Sequence, residues 1–285
     1  MDTPCLFVSD IHGSIEQYRT LFRVVAEVRP AAIFMGGDLL PSGLRHRSGT
    51  AGDFVNQFLA PGFQGLRDRL GADYPRVFMI LGNDDGRFEE AAVLDAAASG
   101  IWEYCHNRSL DFHGYTVYGY AYVPPTPFQL KDWERYDVSR YVDPGCISPE
   151  EGIRSIPITA YEQKYTTIAK DLAELAENAD LTRAVFLFHT PPYKTNLDRA
   201  ALDDVVIDYA PADVYVGSVA VRDFITERQP LLTLHGHVHE SARITGFWQD
   251  RIGRTVCLSA AHDGHRLAVV HFDPGHLDLV DRKLY

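Results

Sequence analysis

Five short apolar runs, Cys5–Val8, Ala31–Met35, Val77–Leu81, Ala184–Phe188 and Leu231–Leu234, each lead into a residue able to bind a metal or carry a proton. They are strand length and bounded by turn residues, so they read as buried strands rather than helix segments. Helical spacing fills the gaps early in the chain, over 14–28, 53–70 and 87–99, with Ser14 placed as an N-cap. Residues 159–178 also read as helix, and Ser218 opens a shorter one to about residue 228. Strict alternation over 110–123 suggests strands or a hairpin. Further strand-like segments lie near 243–248, 255–260, 266–272 and 277–281. Strand and helix alternate in the first half, and the end is mostly strand. That pattern predicts an α/β fold, with helical layers around mixed sheets, in one domain spanning 1–285. Residues 124–158, rich in proline and aromatics and without a clear period, form an insertion too long for a structureless loop, so it is functional or mobile.

At 285 residues the chain can bury a sizeable core. Its net charge of −12 argues against broad binding of duplex nucleic acid, which rests on phosphate neutralisation by Lys and Arg. A phosphorylated small molecule is not excluded, because bound cations can reverse the charge of one pocket. Cys5, Cys105, Cys146 and Cys257 are scattered and form no CxxC pair, as expected of free thiols in a reducing compartment. No signal-peptide pattern and no membrane-spanning run is visible, so a cytoplasmic location is expected.

The strand ends can be compared. The first run ends at Asp10 and His12, the second at Asp38, the third at Asn83, the fourth at His189, and the fifth at His237 and His239. In open α/β sheets, sites form beyond the carboxyl ends of the strands, so these seven side chains can meet on one edge. Within Leu234-His235-Gly236-His237-Val238-His239, strand alternation would send three imidazoles out together. Taken singly, each residue has an ordinary explanation: an Asx turn for an Asp beside Gly, a satisfied core histidine for His189. Taken together, two carboxylates and several histidines at one edge need a cation to compensate them. Carboxylate, carboxamide and imidazole without thiolate suit Mn, Fe, Zn or similar first-row ions. Seven ligands suit two ions roughly 3.5–4 Å apart with a shared carboxylate.

The motifs Asp10-Ile11-His12, Gly37-Asp38, Gly82-Asn83, His189 and Gly236-His237-Val238-His239 resemble, in order, those of the calcineurin-like metallophosphoesterases, and the stretches His189-Thr190-Pro191-Pro192-Tyr193 and Gln229-Pro230-Leu231-Leu232-Thr233-Leu234-His235-Gly236-His237 resemble small stand-alone bacterial and archaeal members. The resemblance runs from residue 6 to about 260. It implies a four-layer αββα fold, two packed mixed β-sheets flanked by helices. It implies two divalent or first-row metal ions, among Mn, Fe, Zn or Ni. One would take Asp10, His12, Asp38 and His239; the other Asp38, Asn83, His189 and His237, with Asp38 bridging. The implied reaction is hydrolysis of a phosphomonoester or phosphodiester by a hydroxide bridging the ions. The partner is then a small phosphorylated substrate, with a nucleotide among the open choices. His235 is left as an outer support or a structural residue.

Candidate catalytic residues are Asn83, Asp84 and His237. Many members carry a histidine at the position of Asp84, where it is thought to protonate the leaving group. An Asp of ordinary pKa near ~4 is a poor acid at pH 7. Either Asp84 is perturbed, or another group such as His106 or His113 serves, or the leaving group needs little help. Arg45 and His46, with Arg47, follow the second strand, and His262 falls on a late loop; Arg45, His46 and His262 are the candidate substrate contacts. The aromatic segment 120–141 offers a wall for a nucleobase or aryl group, or simple core packing. The rival from another class is a scaffold of the same fold that has lost catalysis and binds a protein; it predicts lost ligands, and all seven are present. A nuclease is disfavoured by the acidic balance, and hydrolysis of other esters or amides is separated only by the motif order.

Overall fold

A computed structural model describes residues 3–46, 52–207 and 209–285, with Arg45 and His46 described by their backbone alone. The chain runs β1 (Cys5–Val8), α1 (Ile15–Val28), β2 (Ala32–Gly36), α2 (Gly43–His46), α3 (Ala60–Leu70), β3 (Arg76–Ile80), α4 (Glu90–Ala98), β4 (Glu103–Tyr104), β5 (Arg108–Phe112) and β6 (Tyr115–Tyr120). It continues through α5 (Ala160–Tyr165), α6 (Ile168–Leu175), β7 (Ala184–Phe188), β8 (Val206–Ile207), β9 (Ala210–Pro211), α7 (Val219–Arg228) and β10 (Leu232–His235). It ends with α8 (Ser241–Thr245), β11 (Gln249–Ile252), β12 (Thr255–Ser259), β13 (Ala268–Phe272) and β14 (Asp281–Leu284).

Two six-stranded mixed sheets result, ordered β14-β13-β1-β2-β3-β4 and β11-β12-β10-β7-β6-β5. In the first, β1 to β4 run parallel. In the second, β6, β7, β10 and β12 do. The central runs are apolar along their whole length because both faces are covered, and β1, β2 and β7 are buried at every position. Phe112 of β5 reaches across the sheets to Phe34 and Phe78, with ring centroids 6.2 and 5.5 Å away. Outside the first sheet, α1 buries Tyr18, Leu21, Val24 and Val25. Outside the second, Phe224 of α7 packs on Phe186, centroids 5.0 Å apart. The αββα layering expected from the resemblance is thus the architecture observed.

Several local expectations hold for the expected reasons. Ser14 and Ser218 cap α1 and α7, accepting the N–H groups of Gln17 and Val221. Others are corrected. The helix expected over 159–178 is two helices, because Thr167 takes an extended conformation and becomes a new N-cap for α6. The strand expected near 243–248 is instead α8, closed by Gly246 at φ 79°. The segment 277–281 is mostly turn; the strand is β14, one step later, paired with β13. The insertion 124–158 holds no helix or strand, yet it is packed: Trp133 and Tyr136 are buried within it. All four cysteines are free. Among the described residues, no helix is long and apolar enough to cross a membrane.

Candidate metal centre

The parallel strands of both sheets point their carboxyl ends to one edge. Asp10 follows β1, Asp38 follows β2 and Asn83 follows β3; His189 follows β7, and His237 and His239 follow β10. Asp10, Asp38, Asn83 and His189 are each less than a tenth exposed. Ligand atoms of Asp10, His12, Asp38 and His239 all lie within 4.8 Å of one another. His12 Nε2 is 3.2 Å from His239 Nε2. His239 Nε2 is 3.3 Å from Asp10 Oδ1. Beside this group, His189 Nε2 lies 3.1 Å from Asn83 Oδ1 and 3.4 Å from Asp38 Oδ2, and its ring centroid is 5.2 Å from that of His237.

The backbone is bent to make this possible. Asp10, His12, Asp38 and His237 all have positive φ, at 56°, 47°, 51° and 73°. Such conformations cost energy for residues with a side chain and are held only where the surroundings demand them. Two motif glycines let the strand ends close in. A Cβ at Gly82 would lie 2.7 Å from His189 Nε2, and one at Gly236 would lie 2.7 Å from Asp10 Oδ2.

Hydrogen bonds fix which atoms face inward. His189 Nδ1 donates to the Gly36 carbonyl at 2.7 Å, leaving Nε2 for the cleft. Asp10 accepts the His237 N–H at 2.9 Å and the Ser9 hydroxyl at 2.5 Å. Asp85, fully buried, accepts the N–H groups of Leu39, Leu40 and Gly82, tying the second strand's loop to the third's. Neither Ser9 nor Asp85 was singled out from sequence. Ser9 acts through the Asp10 carboxylate and Asp85 through backbone N–H groups, contacts that no local pattern announces, although the doubled Asp in Gly82-Asn83-Asp84-Asp85 is a visible oddity.

The charges are tightly coupled. Burial alone would lower the pKa of His12, but the hydrogen bond to Asp84 and the charges of Asp38, Asp10 and Asp84 outweigh it and hold it at about 9. Burial of His189 is likewise overridden by Asp38 and then Asp10, again to about 9. Burial would raise Asp10, but His239 and His189 bring it to about 2. Burial of Asp38 is outweighed by His189 and His12, which hold it well below the usual carboxylate range. His237 is pushed down to about 3, first by burial and then by the charge of His189. The donor set fits a metal: two carboxylates, a carboxamide and four imidazoles, no thiolate, with the ligand atoms of Asp10, His12, Asp38 and His239 converging. The raised pKa values of His12, His189 and His239 favour their protonated forms in the metal-free chain, so metal binding at these side chains is expected to be coupled to proton release. Metal uptake at pH 7 should release protons, and affinity should rise with pH towards about 9. Calorimetry in buffers of different ionisation enthalpy reads this directly; a binding enthalpy independent of buffer would contradict it.

Three sequence expectations are corrected. His235 does not leave with its neighbours. Strand pairing stops there, and its ring is fully buried between the Thr190 carbonyl, 2.9 Å from Nδ1, and Thr233 Oγ1, 2.7 Å from Nε2. His106 is poorly suited to give a proton at neutral pH: its Nδ1 accepts the Ala121 N–H at 3.0 Å, and burial, then Arg135 and Arg87, push its pKa down to about 3. His113 is exposed in the β5–β6 turn, at the end of the sheet away from His189. His262 is half-buried after β12; burial, then Arg282, lower its pKa against the opposing charge of Asp263. Arg45 and His46 lie on α2, whose first residue, Gly43, donates its N–H to the Asp84 carbonyl at 2.8 Å. Their side chains, and Arg47 entirely, lie outside the described residues. The aromatics of 120–141 mostly pack: Tyr120, Tyr122, Trp133 and Tyr136 are buried, while Phe128 and Tyr141 are exposed.

An αββα sandwich with an Asp/His cluster at the carboxyl ends of both sheets is a fold with a candidate metal site. Residues 3–241 match the sequence profile of the calcineurin-like phosphoesterases, and the chain belongs to that family. Comparison with curated proteins returns no match. Among solved structures, the protein TT1561 of Thermus thermophilus is similar at 15% identity over 100% of this chain and 99% of that one, with a TM-score of 0.59. A dimetal phosphatase from Danio rerio is similar at 12% identity over 95% and 93% of the two chains, with a TM-score of 0.52. At these identities the likeness is one of fold.

Proposed function

We propose that this chain is a metal-dependent phosphoesterase that hydrolyses a small phosphomonoester or phosphodiester. The observation that carries the reading is the convergence of the Asp10, His12, Asp38 and His239 ligand atoms within 4.8 Å, in a chain of this family. In this reading Asp10, His12, Asp38 and His239 hold one ion, and Asp38, Asn83, His189 and His237 hold the other. Bound ions would supply Lewis acidity towards the phosphate oxygens and a water acidified towards neutral pH. The protein's share is to fix its ligands. The Gly36 carbonyl orients His189, and the Ser9 hydroxyl and His237 N–H orient Asp10. His262, and Arg45 and His46 from α2, are the groups proposed to meet the substrate. We read residues 1–285 as one such domain, since β13 and β14, beyond the matched region, complete the first sheet.

The test is reconstitution. The chain is stripped of metal, then Mn, Fe, Zn, Ni or Mg is added singly, with an aryl phosphate monoester and an aryl phosphodiester as substrates. Turnover should return with metal. In His237→Ala it should fall by more than the roughly 10–100-fold typical of disturbing an outer partner of a ligand. A chain that binds no metal overturns the reading. The preferred substrate is proposed to have a leaving group stable as an anion, a phenolate or a phosphate, so aryl esters should outpace alkyl esters.

A further inference from the structure

Asp84 has no free polar atom in the structure. Its Oδ2 lies 3.3 Å from His12 Nδ1. Its Oδ1 accepts the Ser42 hydroxyl at 2.7 Å. Its backbone N–H donates to Asp38 Oδ1 at 2.8 Å, and its carbonyl accepts the Gly43 N–H at 2.8 Å. One residue therefore grips a candidate ligand from each of the first two strands. The side chain is about a third exposed, so it stands at the edge of the cluster rather than beneath it.

The geometry has a chemical consequence. With Nδ1–H of His12 donating to Asp84, the neutral, metal-binding form of the ring would have its lone pair on Nε2, which lies 3.2 Å from His239 Nε2 and 3.9 Å from Asp38 Oδ2. A carboxylate behind the far nitrogen of a metal-binding imidazole fixes its tautomer and ring angle and makes it a better donor. Ser42, at the start of the turn into α2, holds that carboxylate from its other side.

We propose that Asp84 is a positioning residue: it sets His12, and through its N–H Asp38, for metal binding, and does not deliver a proton to the leaving group. This rests on the metallophosphoesterase reading, but its first measurement does not need turnover. Metal affinity is measured by chelator competition with Mn and with Zn on wild type, Asp84→Ala and Asp84→Asn. Asp84→Ala should bind one ion roughly 10–100-fold more weakly. Asp84→Asn keeps an oxygen that can accept from Nδ1–H and should recover most of that loss, which also shows that the site still folds. The second measurement is a leaving-group series at saturating metal. The slope of rate against leaving-group pKa should be the same in Asp84→Ala as in wild type. Unchanged metal affinity in Asp84→Ala, or a rate loss that grows with leaving-group pKa, overturns the proposal. If wild type binds metal but hydrolyses no phosphoester, the function reading fails and the affinity comparison still decides the role of Asp84.

Discussion

Asp38→Asn should lower metal-dependent phosphoester hydrolysis by on the order of 10³-fold, about 4 kcal/mol of transition-state stabilisation. Asp38 is the side chain that faces both halves of the cluster. Its Oδ2 is 3.4 Å from His189 Nε2 and 3.9 Å from His12 Nε2, while Oδ1 is held by the Asp84 N–H. Asn keeps the shape and the Asp84 contact but removes the charge. Two effects then add. An ion loses an anionic ligand in a buried setting, where charge matters most. The two histidines also lose the main counter-charge that lifts His189 and part of the one that lifts His12. The proton release expected on metal uptake at pH 7 should therefore shrink in the same variant. Steady-state kinetics with metal analysis checks the first effect and calorimetry the second. A variant within tenfold of wild type, with full metal content, would remove Asp38 from the centre of the site.

The candidate ligands could be picked out because chemistry restricts them. Few residue types bind a cation, and each sat where an apolar run stopped. The way the backbone presents them was not legible. Positive φ at Asp10, His12, Asp38 and His237 breaks strand alternation at the point where the site begins. Reading alternation through that point grouped His235 with His237 and His239, although His235 is still inside β10 and points into the core. The layers were legible from the runs and the helical spacing between them. The break at Thr167 and the short α8 were not, because capping by a side chain and one left-handed glycine decide them locally. The insertion defeated periodicity for another reason: its backbone pairs only in isolated bridges, such as Val123 with Glu134 and Leu130 with Ile153, and buried side chains add the rest. Asp132 accepts the N–H groups of Arg87 and Ser155, each at 2.8 Å. Asp137 accepts the Val219 N–H at 2.7 Å and the Ser218 hydroxyl at 2.5 Å, at the start of α7.

Lys131→Met should show how much stability this device holds. Lys131 and Glu134 are paired at 2.5 Å with no side-chain exposure on either. Lys131 Nζ also donates to the Thr126 carbonyl at 2.9 Å, and Glu134 accepts both the N–H and the hydroxyl of Thr126. Burial pushes Glu134 up to about 7 in spite of Lys131 and Thr126, and pushes Lys131 down in spite of Glu134. The pair is thus balanced against its own desolvation, and removing one member leaves the other without compensation. That costs roughly 3–5 kcal/mol, reduced where the survivor can change protonation. Taking about 3 kcal/mol, and about 2–4 °C per kcal/mol for a chain of this size, Tm should fall by roughly 6–12 °C. The double variant Lys131→Met, Glu134→Gln should recover a good part of the loss, because the charge left behind is what destabilises. A fall below about 2 °C in the single variant, or no recovery in the double, would mean that the insertion is held by Asp132, Asp137 and the aromatic packing of Trp133 rather than by the buried pair. Because Asp132 adjoins Lys131 and holds the backbone just after the Asn83 and Asp84 loop, loosening the insertion should reach the site second and only near the unfolding temperature. Metal affinity of the single variant well below its Tm should stay close to wild type.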